Sequence, residues 1–263
     1  VHDHTEEHDR GLGYDLPTLA RRKMITLLAG GSVLPLVASV NQAQGATPAE
    51  AAAAACAEVP SETEGPYPAD GSNGPNVLTQ SGIVRQDIRP SFGTASGVAD
   101  GVPLTIELTV VEAADDCGTP LSGAAVYVWH CDRLGNYSLY SPGAANENYL
   151  RGVQETDENG TVSFTSIFPA CYAGRWPHVH FEIYPSLQEA TSAGSILKTS
   201  QLALPEDVCD TVYDSAGYDG SIANFSRVSL STDMVFRDGV SLQLATVTGS
   251  LPSGYTAALR VAV

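Results

Sequence analysis

From Pro60 onward, apolar residues recur at every second position in short runs separated by Gly, Pro, Asn and Asp. This is the pattern of half-buried strands joined by turns, not of amphipathic helices. The runs predict strands over 104–112, 124–131, 161–166, 178–184, 227–236, 240–248 and 255–263. One short helix is predicted over 205–213, where Pro205 opens the first turn and Glu206 and Asp207 sit at its positive end. So many strands and so little helix predict an all-β fold, an antiparallel β-sandwich with short helices and long loops around its site.

The run His178-Val179-His180-Phe181-Glu182-Ile183-Tyr184 carries chemistry as well as pattern. Successive side chains of a strand point to opposite faces, and residues two apart lie roughly 6.5–7 Å apart along one face. Val179, Phe181 and Ile183 can therefore pack on a core while His178 and His180 converge on one point on the other side. Taken alone, this is also what any strand with one polar face looks like. Glu182 shares the histidine face and is the next available ligand, or else a carboxylate supporting the site from outside. Tyr172, six residues before His178, and Tyr137, at the end of an earlier strand, each follow a turn signal. A single tyrosine there is ordinary; two of them beside His-x-His suggest a metal site with oxygen and imidazole donors. His130 in the Trp129–Cys131 run is read as a packed histidine.

The region before Pro60 has a different texture. A charged leader, His2 to Asp15, precedes Arg21-Arg22-Lys23 and an apolar run from Met24 to Val40, broken by Gly30, Gly31 and Pro35. This resembles a twin-arginine export signal, too short and interrupted to be a stable membrane span once removed. Cleavage is expected between Ala43 and Ala49, with an Ala-rich linker following. Residues 1–57 are thus read as export signal and linker, 58–263 as the functional domain, and the protein as secreted. His2, His4 and His8 lie in the leader and carry no metal site in this reading.

Charge narrows the partners. A formal net charge of -17 and the lack of any basic cluster beyond the Arg21-Arg22-Lys23 of the export segment argue against nucleic acid as a partner, since phosphate binding depends on clustered Lys and Arg. The five cysteines, Cys56, Cys117, Cys131, Cys171 and Cys209, include no C-x-x-C pair, which excludes a zinc-thiolate cluster. Export would allow up to two disulfides, with the pairing left open.

Five segments taken together carry a family resemblance: Glu64-Gly65-Pro66-Tyr67, Val128-Trp129-His130-Cys131-Asp132, Gly135-Asn136-Tyr137, Tyr149-Leu150-Arg151-Gly152 and the stretch from Tyr172 to His180. In content and order they resemble the intradiol ring-cleavage dioxygenases, the family of the protocatechuate 3,4- and catechol 1,2-dioxygenases. The resemblance implies non-haem Fe(III) held by Tyr137, Tyr172, His178 and His180, with Tyr172 as the ligand that leaves when substrate binds. It also implies Arg175 as an active-site arginine, Gln201 as a supporting glutamine and Tyr67 as a residue at the pocket mouth. The expected reaction is cleavage of a catechol by O2 to a cis,cis-muconate-type product. The segment before Pro60 stands where the catechol enzymes have their helical dimerisation region, so the oligomeric state is left open. Two other readings compete: a secreted β-sandwich binding module with a structural or vestigial metal site, and a metal-dependent hydrolase using His178, His180 and Glu182.

Overall fold

The computed structural model describes residues 56–115, 117–192 and 194–263; the export reading of residues 1–57 falls almost wholly outside them. Eight strands form two four-stranded sheets: β1 (Pro103–Val111), β2 (Ala125–Trp129), β3 (Arg151–Glu155), β4 (Thr161–Ile167), β5 (His178–Tyr184), β6 (Lys198–Ala203), β7 (Thr246–Ser250) and β8 (Gly254–Ala262). Their orders are β4-β1-β8-β7 and β3-β2-β5-β6. Among the described residues, three short α-helices accompany them: α1 (Leu187–Thr191), α2 (Glu206–Tyr213) and α3 (Asp219–Phe225). Among the described residues no helix is long and apolar enough to cross a membrane.

The alternation read from the sequence builds the core. Leu104, Ile106, Leu108 and Val110 of β1 point inward and meet Val126 and Val128 of β2 and Val179, Phe181 and Ile183 of β5 in one cluster. Each fully buried side chain of this size stabilises the sandwich by about 1.5–3 kcal/mol relative to exposure. The outer face of the second sheet is also dry. All seven residues of β5 are buried, because loops cover the side on which His178, His180, Glu182 and Tyr184 stand.

Several elements depart from expectation. The pairing of β1 with β8 is parallel, whereas the other strand pairs are antiparallel as predicted. β3 and β6 were not predicted: β3 carries Arg151 and Gly152, β6 is mostly polar, and neither has the apolar alternation that marks a strand. The strand expected over 240–248 starts later, at Thr246.

Residues 227–236 form turns, not a strand, ending in a 3-10 helix from Phe236 to Asp238. Local polar groups there outcompete a sheet ladder: the Ser229 N–H donates to Thr232 Oγ1, the Asp233 N–H to Ser229 O, and the Val235 and Phe236 N–H groups to Asp233 Oδ1. The predicted helix is present as α2, with Pro205 at its N-cap. A disulfide joins Cys56 to Cys117, while Cys131, Cys171 and Cys209 are buried free thiols.

His130 is a packed residue, as read. With its proton on Nδ1 it donates to Cys131 O at 2.8 Å and accepts from the Ser166 hydroxyl at Nε2, 2.7 Å away. Burial pushes its pKa down to about 4, against about 6.5 when unfolded. Between these values the unfolded chain binds the extra proton, so stability falls as pH drops from about 6.5 to 4, by roughly 3 kcal/mol in total. Urea midpoints measured across that range should show this slope, and His130→Gln should flatten it.

Candidate active site

Each site residue is delivered by its own element. Tyr137 ends a loop after β2 organised by Asp132, whose Oδ1 accepts the Leu134 and Asn136 N–H groups while the Tyr149 hydroxyl donates to Oδ2. The Tyr137 N–H donates to Ser141 Oγ. The loop that bears Tyr172 and Arg175 is held at its root by α3, where Ser221 Oγ accepts the Cys171 N–H and Asn224 donates to Cys171 O. β5 supplies His178 and His180. Its neighbour β6 places Gln201 opposite His180.

Four donor atoms converge. Tyr172 Oη lies 3.2 Å and Tyr137 Oη 3.5 Å from His178 Nε2, the two phenol oxygens are 3.4 Å apart, and His180 Nε2 lies 3.0 Å from His178 Nε2. His178 Nδ1 donates to Trp176 O, so its Nε2 offers a single lone pair to three neighbours. Hydrogen bonds cannot satisfy all three. His180 Nδ1 is buried without a partner, which suits a proton there and a second lone pair on the facing Nε2. Burial lowers both histidines, His178 to about 3, with Arg175 adding to the shift, and keeps them neutral. Burial, with Tyr172 adding to it, pushes the Tyr137 phenol well above its usual value, so a phenolate here needs a cation beside it. Two hard oxygens and two neutral imidazoles meeting at one point fit a trivalent iron.

The surroundings shield this point. Trp129 stacks on His180 with ring centroids 4.9 Å apart, and Tyr67 stacks on Tyr137 at 4.8 Å. Residues 62–67 cross the cradle as a strap tied down by the Gln201 amide, which donates to Thr63 O at 2.9 Å. A Cβ on Gly65 would just reach van der Waals contact with His180 Cε1, at 3.4 Å, so the strap lies directly against the histidine, and the φ of +72° at Gly65 favours glycine there. Tyr137 is 1% exposed. Tyr172 is only half-buried, between buried Cys171 and exposed Ala173 and Gly174.

Glu182 does not join the histidines. It is buried, accepts from the Tyr184 hydroxyl at 2.7 Å, and gathers with Glu64 and Asp70; burial raises its carboxyl to about 8. Arg175 is buried and bonded to Gln201 and to Asp233. Sequence reasoning missed Asp233, fifty-eight residues from Arg175, because it sat inside a predicted strand. It also gave no role to Arg151, whose four hydrogen bonds join Pro68, just past the strap, and Tyr127 of β2 to Ser138 in the Tyr137 loop; a charged residue within an apolar neighbourhood was the available signal.

Known proteins resemble this chain in sequence and fold. A family model described as Dioxygenase matches residues 73–192. The chain is 33% identical over 93 residues to a chlorocatechol 1,2-dioxygenase of Rhodococcus opacus, covering 32% of this chain and 36% of that protein. It is 38% identical over 61 residues to a catechol 1,2-dioxygenase of Candida albicans, covering 23% and 20%. The matches thus span about a third or less of these relatives. A solved intradiol ring-cleavage dioxygenase from Tetranychus urticae superposes with a TM-score of 0.61 at 25% identity, covering 79% of this chain and 94% of that one. The fold, the family model and these relatives agree in making the intradiol ring-cleavage dioxygenases the family that this chain resembles.

Proposed function

We propose that this protein is a non-haem Fe(III)-dependent intradiol dioxygenase that cleaves catecholic compounds with O2 to cis,cis-muconate-type products. The observation that carries the proposal is the approach of three donor groups to the single lone pair of His178 Nε2. Tyr137, Tyr172, His178 and His180 would hold the iron. Bound there, iron would supply a Lewis acid that chelates both catechol oxygens and makes the ring reactive toward dioxygen. The overall change balances without another reductant: the bond between the two hydroxyl-bearing carbons breaks, and each of those carbons gains one atom of O2.

The chain's own groups have distinct parts. Tyr172, on the solvent side, is the donor free to swing away, and its Oη can then accept one catechol proton. Tyr137, locked by Tyr67 and its loop, stays. Arg175 aims a cation at negative charge developing on the ring. The strap and Trp129 keep water out. A binding module with a vestigial metal site would leave the crowding at His178 Nε2 without a purpose, and one with a structural metal would leave buried Arg175 and Gln201 beside the donors without one. We further propose secretion by the twin-arginine route, which the Cys56–Cys117 disulfide supports, since such bonds persist in oxidising compartments.

Protein loaded with Fe(III) should be burgundy from tyrosinate charge transfer, and adding catechol under air should produce muconate absorbance. Colourless protein with stoichiometric iron would sink the proposal.

A further inference from the structure

We propose that Asp233 is a positioning residue that orients Arg175 for the reaction with dioxygen, acting only through the guanidinium. This rests on the catechol dioxygenase reading above. Asp233 is 0% exposed and Arg175 6% exposed, so water does not screen the pair and geometry decides what it does. Arg175 Nε donates to Asp233 Oδ2 at 3.0 Å, and the neighbouring Trp176 N–H donates to the same oxygen at 2.7 Å. The other oxygen accepts the Val235 and Phe236 N–H groups at 2.8 and 3.2 Å. Four donors saturate the carboxylate. It has no lone pair aimed at a substrate proton, which excludes it as a general base.

Its effect is on where the guanidinium points. Arg175 Nη2 donates to Gln201 Oε1 at 2.6 Å, and the Gln201 amide is itself anchored on Thr63 O. Two of the three guanidinium nitrogens are therefore fixed from two separate elements, the turn after α3 and strand β6. A planar fork held at two points has its plane and direction set, and Nη1 remains for the substrate. Asp233 also offsets the cost of burying a cation. Burial works against the charge on Arg175, and Tyr172 and Asp233 together outweigh it and hold the guanidinium protonated. Displacing a group that stabilises developing charge by about 1 Å can cost on the order of a hundredfold in rate.

The test uses iron-loaded full-length protein with catechol as substrate. Asp233→Asn should lower kcat at least tenfold, while KM for catechol, bound iron and the burgundy band stay close to wild type, since the hydrogen bonds of Asp233 go to Arg175, Trp176, Val235 and Phe236 and to none of the four donors. In an Arg175→Ala background the Asp233→Asn change should cost nothing further, because its route is already gone. Asp233→Glu keeps the charge but shifts it by one methylene; should the Asn variant not fold, a kcat at least threefold below wild type in the Glu variant, with the band unchanged, carries the same conclusion. Thermal melting of the metal-free variants reports folding independently of turnover. Wild-type kcat in both variants, loss of the band in a folded variant, or multiplicative losses in the double variant would overturn the assignment. A wild-type protein inert toward catechol would overturn the dioxygenase reading and this inference with it, whereas an active wild type with indifferent variants would overturn this inference alone.

Discussion

His178→Ala is expected to remove iron and catechol cleavage together, with kcat/KM falling at least roughly a thousandfold, beyond the 10–100-fold typical of losing a supporting partner around a metal. The reason is position: His178 Nε2 lies within 3.5 Å of both phenol oxygens and of His180 Nε2, so without it the remaining three donors lose their common neighbour. Tyr172→Phe should behave differently. Tyr137, His178 and His180 remain, so iron should still bind, with a shifted band from one tyrosinate in place of two. Turnover should nevertheless collapse, because the group that leaves and accepts a catechol proton is missing. Iron content by elemental analysis, the visible spectrum and muconate formation separate the two cases. Full activity in either variant would refute the donor assignment.

Arg151→Ala should be the most destabilising single change away from the donors, by roughly 3–5 kcal/mol. Arg151 is 1% exposed, and its guanidinium donates to Ser138 Oγ, Ser138 O, Pro68 O and Tyr127 Oη, each at 3.0 Å. It also lies over the Tyr140 ring, 5.5 Å from the centroid. Truncation leaves a large void and unsatisfied buried acceptors. It also uncouples Pro68, just past the strap, from Ser138, next to Tyr137. The expected signature is a lowered urea midpoint together with faster loss of iron to a chelator; an unchanged midpoint would refute it.

The legible part of this molecule was whatever repeats along the chain or sits close in sequence. β1, β4, β5 and β8 were found because their apolar residues alternate, and α2 because Pro205, Glu206 and Asp207 mark its start. Tyr172, Arg175, His178 and His180 lie within nine residues, so their association could be read directly; Tyr137, on an earlier strand end, had to be brought in by the fold. The rest was hidden because it depends on pairing between distant segments. β3 and β6 are strands by virtue of their neighbours β2 and β5, and their polar residues are buried because loops cover that face. Asp233 looked like one polar position in an alternating run until the turn it builds was seen. Glu182 shares a strand face with the histidines, but periodicity assigns a face and says nothing about which cluster on that face a carboxylate enters.

The parallel pairing of β1 with β8 bears on how the molecule is made. β8 lies between β1 and β7, with Leu104 opposite Tyr255 and Val111 opposite Ala262. During synthesis β1 has only β4 to lean on, and one of its edges stays open until almost the whole domain has left the ribosome. Closing so long a loop is slow and leaves an aggregation-prone edge exposed meanwhile. The sheet opposite has no such wait: β2, β3, β5 and β6 are contiguous apart from β4, so the half of the sandwich that carries the histidines can assemble first, and the other half locks onto it from behind.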